Sequence, residues 1–156
     1  MSSGLWIALV AAVVALGFGA YRAMTDGRFR GRRLDEAAPG GSDGVEPESE
    51  PSAWSYVAAA LPTATHGERA TLLQFSSAFC APCRATRRVL AEVAEVVPGV
   101  VHLEVDAEHH LALVRHLDVL RTPTTLVLDA TGREVSRATG APRKEDVVAA
   151  LGRVIT

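Results

Sequence analysis

Residues 71–84 read Thr71-Leu72-Leu73-Gln74-Phe75-Ser76-Ser77-Ala78-Phe79-Cys80-Ala81-Pro82-Cys83-Arg84. An apolar run of strand type leads straight into the only 2 cysteines of the chain, three positions apart. A Cys-x-x-Cys loop is short enough to close as a disulfide and reopen as a dithiol, which is redox chemistry. Half of a zinc site and a pair of inert thiols are the other readings. Zinc takes four ligands, commonly two such pairs or one pair with spaced histidines, and the chain has no second pair. His109, His110 and His116 stand too close together for a ligand knuckle, so no metal is expected.

Downstream of the cysteines, Val89, Leu90, Val93, Val96 and Val97 recur at helical spacing until Pro98-Gly99 stops the helix. Val100 to Asp106 reads as a strand with Val101, Leu103 and Val105 on one face. A short helix over 109–117 follows. Strands over 123–129 and 134–139 are joined by a turn at Ala130-Thr131-Gly132. A helix over 143–155 presents Val147, Val148, Leu151 and Val154 inward. Upstream, Trp54 to Leu61 reads as a short helix capped by Ser52 and ended by Pro62. This order predicts an α/β domain over 54–156, with a mixed central sheet covered by helices on both faces.

The segment ahead of the domain divides in two. Leu5 to Tyr21 is apolar or glycine over 17 residues without a charge, bracketed by Trp6 and Tyr21. A core helix of this length would show a polar face. A cleavable signal would carry positive charge before the run and a small-x-small site after it. The expectation is therefore an uncleaved single transmembrane anchor over 5–21, in contact with the lipid bilayer. Ala11, Ala15 and Gly19 recur at the spacing that permits helix pairing, a weak signal. Arg22, Arg28, Arg30, Arg32 and Arg33 all follow the run, which predicts a cytoplasmic catalytic domain, with export as the alternative. Such arginines suit anionic headgroups. Asp35 to Ala53 is rich in Pro, Gly, Ser and acidic residues and is expected to be disordered. The expected layout is a basic juxtamembrane segment and acidic linker over 22–53, reaching on the order of 25 Å and letting the domain rotate.

The whole chain has 156 residues, a net charge of −2 and 48% hydrophobic residues. That length holds one ordinary domain and something smaller. Without a basic excess to neutralise phosphates, no nucleic-acid partner is expected. No internal repeat is visible.

With Cys80-Ala81-Pro82-Cys83 at a helix start and Thr122-Pro123-Thr124 before a late strand, the chain resembles the thioredoxin family over roughly 71–155. The resemblance implies a thioredoxin-like fold, a cis bond before Pro123 facing the disulfide, and substrate pairing along Thr122. It implies that Gly140 keeps a neighbouring loop open and that Phe79, in place of a family tryptophan, shields the active surface. Cys80, where helix-start N–H groups favour thiolate, is expected to be the attacking sulfur. Cys83, a turn further in, is expected to resolve the mixed disulfide. Pro82 stiffens the first turn, and Arg84 reads as a solvated helix residue.

Two departures stand out. Gln74 and His102 occupy the positions of the family's buried aspartate and neighbouring lysine. Either His102 takes over proton exchange with the second thiol, or the two side chains satisfy each other inside the sheet. A family first strand also looks absent.

The function expected is a membrane-tethered thiol-disulfide oxidoreductase exchanging with partner proteins near the membrane, without a cofactor and in the reductive direction. The alternatives are a non-enzymatic redox-sensing or partner-binding module, and a metal-binding protein lacking visible further ligands.

Overall fold

The computed structural model describes residues 3–25, 27–31 and 51–155. In chain order the elements are α1 (Ser3–Thr25), β1 (Phe29–Gly31), α2 (Ala53–Ala60), β2 (Ala70–Ser76), α3 (Ala81–Val96), β3 (Val100–Asp106), α4 (Leu111–His116), β4 (Thr124–Asp129), β5 (Glu134–Thr139) and α5 (Lys144–Gly152). Their sheet runs β1-β5-β4-β2-β3. Only β2 and β3 pair in parallel; β2–β4, β4–β5 and β1–β5 are antiparallel. The expected mixed α/β sheet with helices on both faces is present.

Every residue of β2 is buried, as a strand covered on both faces must be. Alternation along it feeds two cores. Leu73 and Phe75 join Val57, Val105, Leu113, Leu126 and Leu128 under α2 and α4. Leu72 joins Leu90, Val93, Val127, Val147 and Leu151 under α3 and α5. Full burial of each such side chain contributes about 1.5–3 kcal/mol. The helix ends obey local chemistry. Ser52 caps α2 by accepting from Ser55 N–H, and α3 stops one residue short of Pro98 with Val97 N–H bonded to Val93 O.

The amino-terminal region differs from the sequence expectation in three ways. The first helix runs from Ser3 to Thr25 and not from 5 to 21, because Arg22 and Met24 are good helix formers and nothing there breaks the turn. A short strand not expected from the sequence, β1, precedes α2 and pairs with β5 at the sheet edge far from β3, Phe29 opposite Ala138 and Gly31 opposite Ser136. That register places 27–31 on the domain itself, so the basic juxtamembrane segment is in part an edge strand. In the chain, the acidic stretch thus follows β1 and precedes α2. Whether it is disordered lies outside the described residues.

In α1 the described side chains are Gly4 and those from Trp6 to Tyr21, a run on the order of 25 Å, against a hydrocarbon core of about 30 Å. Among the described residues, no helix is long and apolar enough to cross a membrane. The backbone of α1 is longer, 23 residues or about 35 Å. Trp6, Ile7, Val10, Val14, Leu16 and Phe18 along it are all exposed.

Candidate active site

Cys80 and Cys83 are joined as a disulfide, with 5.2 Å between their Cα atoms. Cys80 is the N-cap of α3, and its sulfur accepts from Cys83 N–H at 3.1 Å. Once the bond is reduced, that donor and the helix dipole favour thiolate on Cys80. Cys80 is half-buried, whereas Cys83 is only 2% exposed. This asymmetry suits an attacking outer sulfur and a resolving inner one. Pro82 stands exposed in the first turn of α3, and Arg84 is exposed one residue past Cys83.

The Thr122–Pro123 bond is cis. Thr122 Oγ1 and Ser77 Oγ lie 3.1 Å apart in a hydrogen bond that ties this turn to the loop leading to Cys80. Gly140, at φ +95, donates its N–H to Pro123 O at 2.8 Å. A side chain is disfavoured at that φ. Ser77, Thr122, Pro123 and Gly140 thus form one rim. Phe79 does not shield it: the residue is 99% exposed, at the tip of the loop that leads to Cys80, where no described residue covers it.

Beneath the disulfide, Gln74 is fully buried and bridges two groups. Its Nε2 donates to Cys83 O at 3.0 Å. Its Oε1 lies 3.1 Å from His102 Nε2. Because a carbonyl only accepts, the amide orientation is forced, and His102 must carry its proton on Nε2. Burial lowers the His102 pKa; Glu104 opposes this and Arg87 adds to it. His102 therefore reaches Cys83 through Gln74, and reaches its carbonyl, not its sulfur. The two side chains satisfy each other as one of the sequence alternatives expected, and a third partner, the helix backbone, completes the row.

A second polar group adjoins the first. Glu104 Oε1 accepts from Ser76 Oγ and from Arg87 Nη2, each at 2.7 Å. Burial pushes the Glu104 carboxyl up, but the Arg87 and Ser76 bonds and the nearby positive charge outweigh it and hold it below its usual value. Sequence reasoning passed over Ser76, Arg87 and Glu104. The available signals were that Arg87 lies four residues from Cys83 and that Glu104 follows His102 on the same strand face. Thr125, opposite Gln74 in the β2–β4 register, is buried with no hydrogen-bond partner for its hydroxyl among the described residues. Among the described residues, no group of three His, Cys, Asp or Glu side chains converges as a metal site.

Residues 57–155 match the thioredoxin-like domain family. The chain belongs to that family. It is 31% identical over 78 residues to thioredoxin H-type 1 of Nicotiana tabacum, covering 50% of this chain and 61% of that protein. It is 32% identical over 89 residues to a thioredoxin H-type of Oryza sativa subsp. indica, covering 57% and 71%. The tobacco relative is thus spanned over less than two-thirds of its length. Thioredoxin F from spinach chloroplast superposes with a TM-score of 0.52 at 23% identity, over 58% of this chain and 80% of that one. A mutant thioredoxin from Halobacterium salinarum does so with a TM-score of 0.53 at 19% identity, over 57% and 77%. These two similarities concern the fold alone. Both α1 and β1 lie before the residues matched by the family.

Proposed function

We propose that this thioredoxin-like chain is a membrane-tethered thiol-disulfide oxidoreductase. One observation carries the chemistry: a half-buried Cys80 at the start of α3, bonded to a buried Cys83, beside the cis Thr122–Pro123 turn. In the reductive direction, the Cys80 thiolate attacks one sulfur of a substrate disulfide. The substrate S–S bond breaks, a mixed disulfide forms and one substrate thiolate departs. The Cys83 thiol attacks the Cys80 sulfur, closing the internal disulfide, and its proton passes to the second substrate sulfur as that sulfur departs. Two electrons pass from the Cys80–Cys83 dithiol to the substrate. Thr122, Pro123 and Gly140 present the backbone edge along which the substrate chain lies, with Phe79 as an exposed apolar contact. Gln74 and His102 hold the Cys83 backbone and act as positioning residues.

Tethering is supported by the uncharged run from Leu5 to Tyr21 and by the exposed apolar side chains of α1. A cytoplasmic domain is supported by the five arginines after that run, and reduction is the natural direction in that compartment. A carboxy-terminal reporter active only outside the cytoplasm tests the side; activity of that reporter overturns the cytoplasmic reading.

The reading is tested by reduction of insulin disulfides by the full chain in detergent, with dithiothreitol as electron source. Turnover above the dithiothreitol background is expected. A chain that binds protein dithiols without turnover would instead be the non-enzymatic sensing or partner-binding module.

A further inference from the structure

The hydrogen-bonded rows of the sheet bring the end of α1 to the active-site rim. Phe29 of β1 lies opposite Ala138, and Gly27 N–H donates to Thr139 O at 2.8 Å. Thr139 lies opposite Thr124, and Thr124 opposite Phe75. These residues mark the end of the sheet at which β2 runs out toward Cys80 and the Thr122–Pro123 turn runs into β4. Gly140, bonded to Pro123 O, is at the same end. The chain therefore enters the domain at its active-site end.

Gly27 fixes that entry. It is buried at φ +82, and a Cβ there would collide with the backbone carbonyl of Ala141. Three strand spacings separate β1 from β2, on the order of 15 Å. Thr25, the last residue of α1, is two residues from Gly27, at most about 7 Å. The loops at this end also carry Phe79 and Leu120, 99% and 95% exposed, the most exposed large apolar side chains among the described residues.

We infer that the domain is clamped with its Cys80–Cys83 site facing the membrane that holds α1. Its substrates are then cysteine pairs in the membrane-proximal segments of integral membrane proteins. This rests on the tethering reading above. A domain on a free tether would meet cysteine pairs at any height above the bilayer. A domain clamped by β1 meets those within about 22 Å of the end of α1, by adding the two distances above, and the effective concentration is highest for them.

The test uses the full chain in lipid vesicles, pre-reduced with dithiothreitol that is then removed. Single-turnover reduction is followed for two single-span substrate proteins, one with a disulfide pair a few residues beyond its span and one with the same pair on a long flexible stalk. The near pair is expected to react about tenfold faster. Inserting about twenty glycine and serine residues after Thr25 frees the domain to rotate, and Gly27→Val undocks the entry strand. Either change is expected to bring the two rates within about twofold while insulin reduction stays at the wild-type level. Vesicle flotation separates the two readings. A chain that does not float with the vesicles removes the tethering reading and this inference with it. A chain that floats yet reacts equally with both substrates, or keeps its preference after both changes, overturns the inference alone.

Discussion

The side-chain amide of Gln74 donates to the carbonyl oxygen of Cys83 at 3.0 Å, so the buried polar residue beneath the disulfide grips the first turn of α3 by its backbone. The other end of the same amide is bonded to His102. A row of three groups, imidazole, amide and peptide carbonyl, replaces the acid-base pair that the thioredoxin resemblance implies at these positions.

Replacing Gln74 with Leu removes the amide partner of the half-buried His102 Nε2 and the extra donor to Cys83 O, which keeps its place in the backbone ladder of α3. A polar group left unsatisfied costs about 1–3 kcal/mol. Urea denaturation of the oxidised chain should show a loss of that size, and a midpoint equal to wild type would mean that the bridge contributes nothing.

The depressed pKa of His102 fixes the sign of its pH effect. Between the lowered folded value and the ordinary imidazole value near 6.5, the unfolded chain binds the extra proton and the folded chain does not. Stability linked to His102 is therefore complete above about pH 6.5 and is lost as pH falls through the folded pKa. In His102→Asn that part of the pH dependence should vanish. Stability curves of the two proteins that stay parallel from pH 7 to pH 5 would contradict the assignment.

Glu104 acts with the same sign at lower pH. Its folded pKa lies below the usual carboxylate value, so its contribution is present above that value and is lost as pH falls through the folded one. Arg87 is more than half exposed, so solvent screens the pair and its worth is about 0–1 kcal/mol. Arg87→Ala should accordingly cost less than Gln74→Leu, with the difference from wild type shrinking in high salt and below the carboxyl pKa. A cost above about 2 kcal/mol would place Arg87 in the buried network instead.

Leu90 is fully buried between α3 and the sheet. Leu90→Ala should lower the unfolding free energy by about 2–5 kcal/mol and leave the exchange rate of the folded protein unchanged, because Leu90 lies two turns along α3 from Cys83. A loss of activity at full folding would show that the helix moves as it repacks.

The core and the reactive pair were legible because each depends on local pattern. The apolar run over 71–76 and the 3.6-residue spacing from Val89 to Val97 mark the sheet and α3, and the cysteine spacing marks the site. Pairing across the sheet was not legible. β1 is three residues, Phe29-Arg30-Gly31, without alternation of its own; it exists because β5 offers a free edge and Gly27 allows the turn onto it. The exposure of Phe79 was likewise hidden, since the sequence shows its neighbour Cys80 but not that the loop carries the residue away from the described elements. Glu104 reads as an ordinary strand carboxylate until Ser76 and Arg87 are brought to it from two other elements.

The central claim is that Cys80 attacks and Cys83 resolves. It is tested most directly by incubating pre-reduced single-cysteine variants of the full chain with a protein disulfide and following covalent adducts by non-reducing electrophoresis. Cys83→Ser should accumulate a mixed disulfide that dithiothreitol releases, and Cys80→Ser should form none and show no turnover. Turnover of Cys83→Ser at the wild-type rate, or adducts formed by Cys80→Ser instead, would contradict the account.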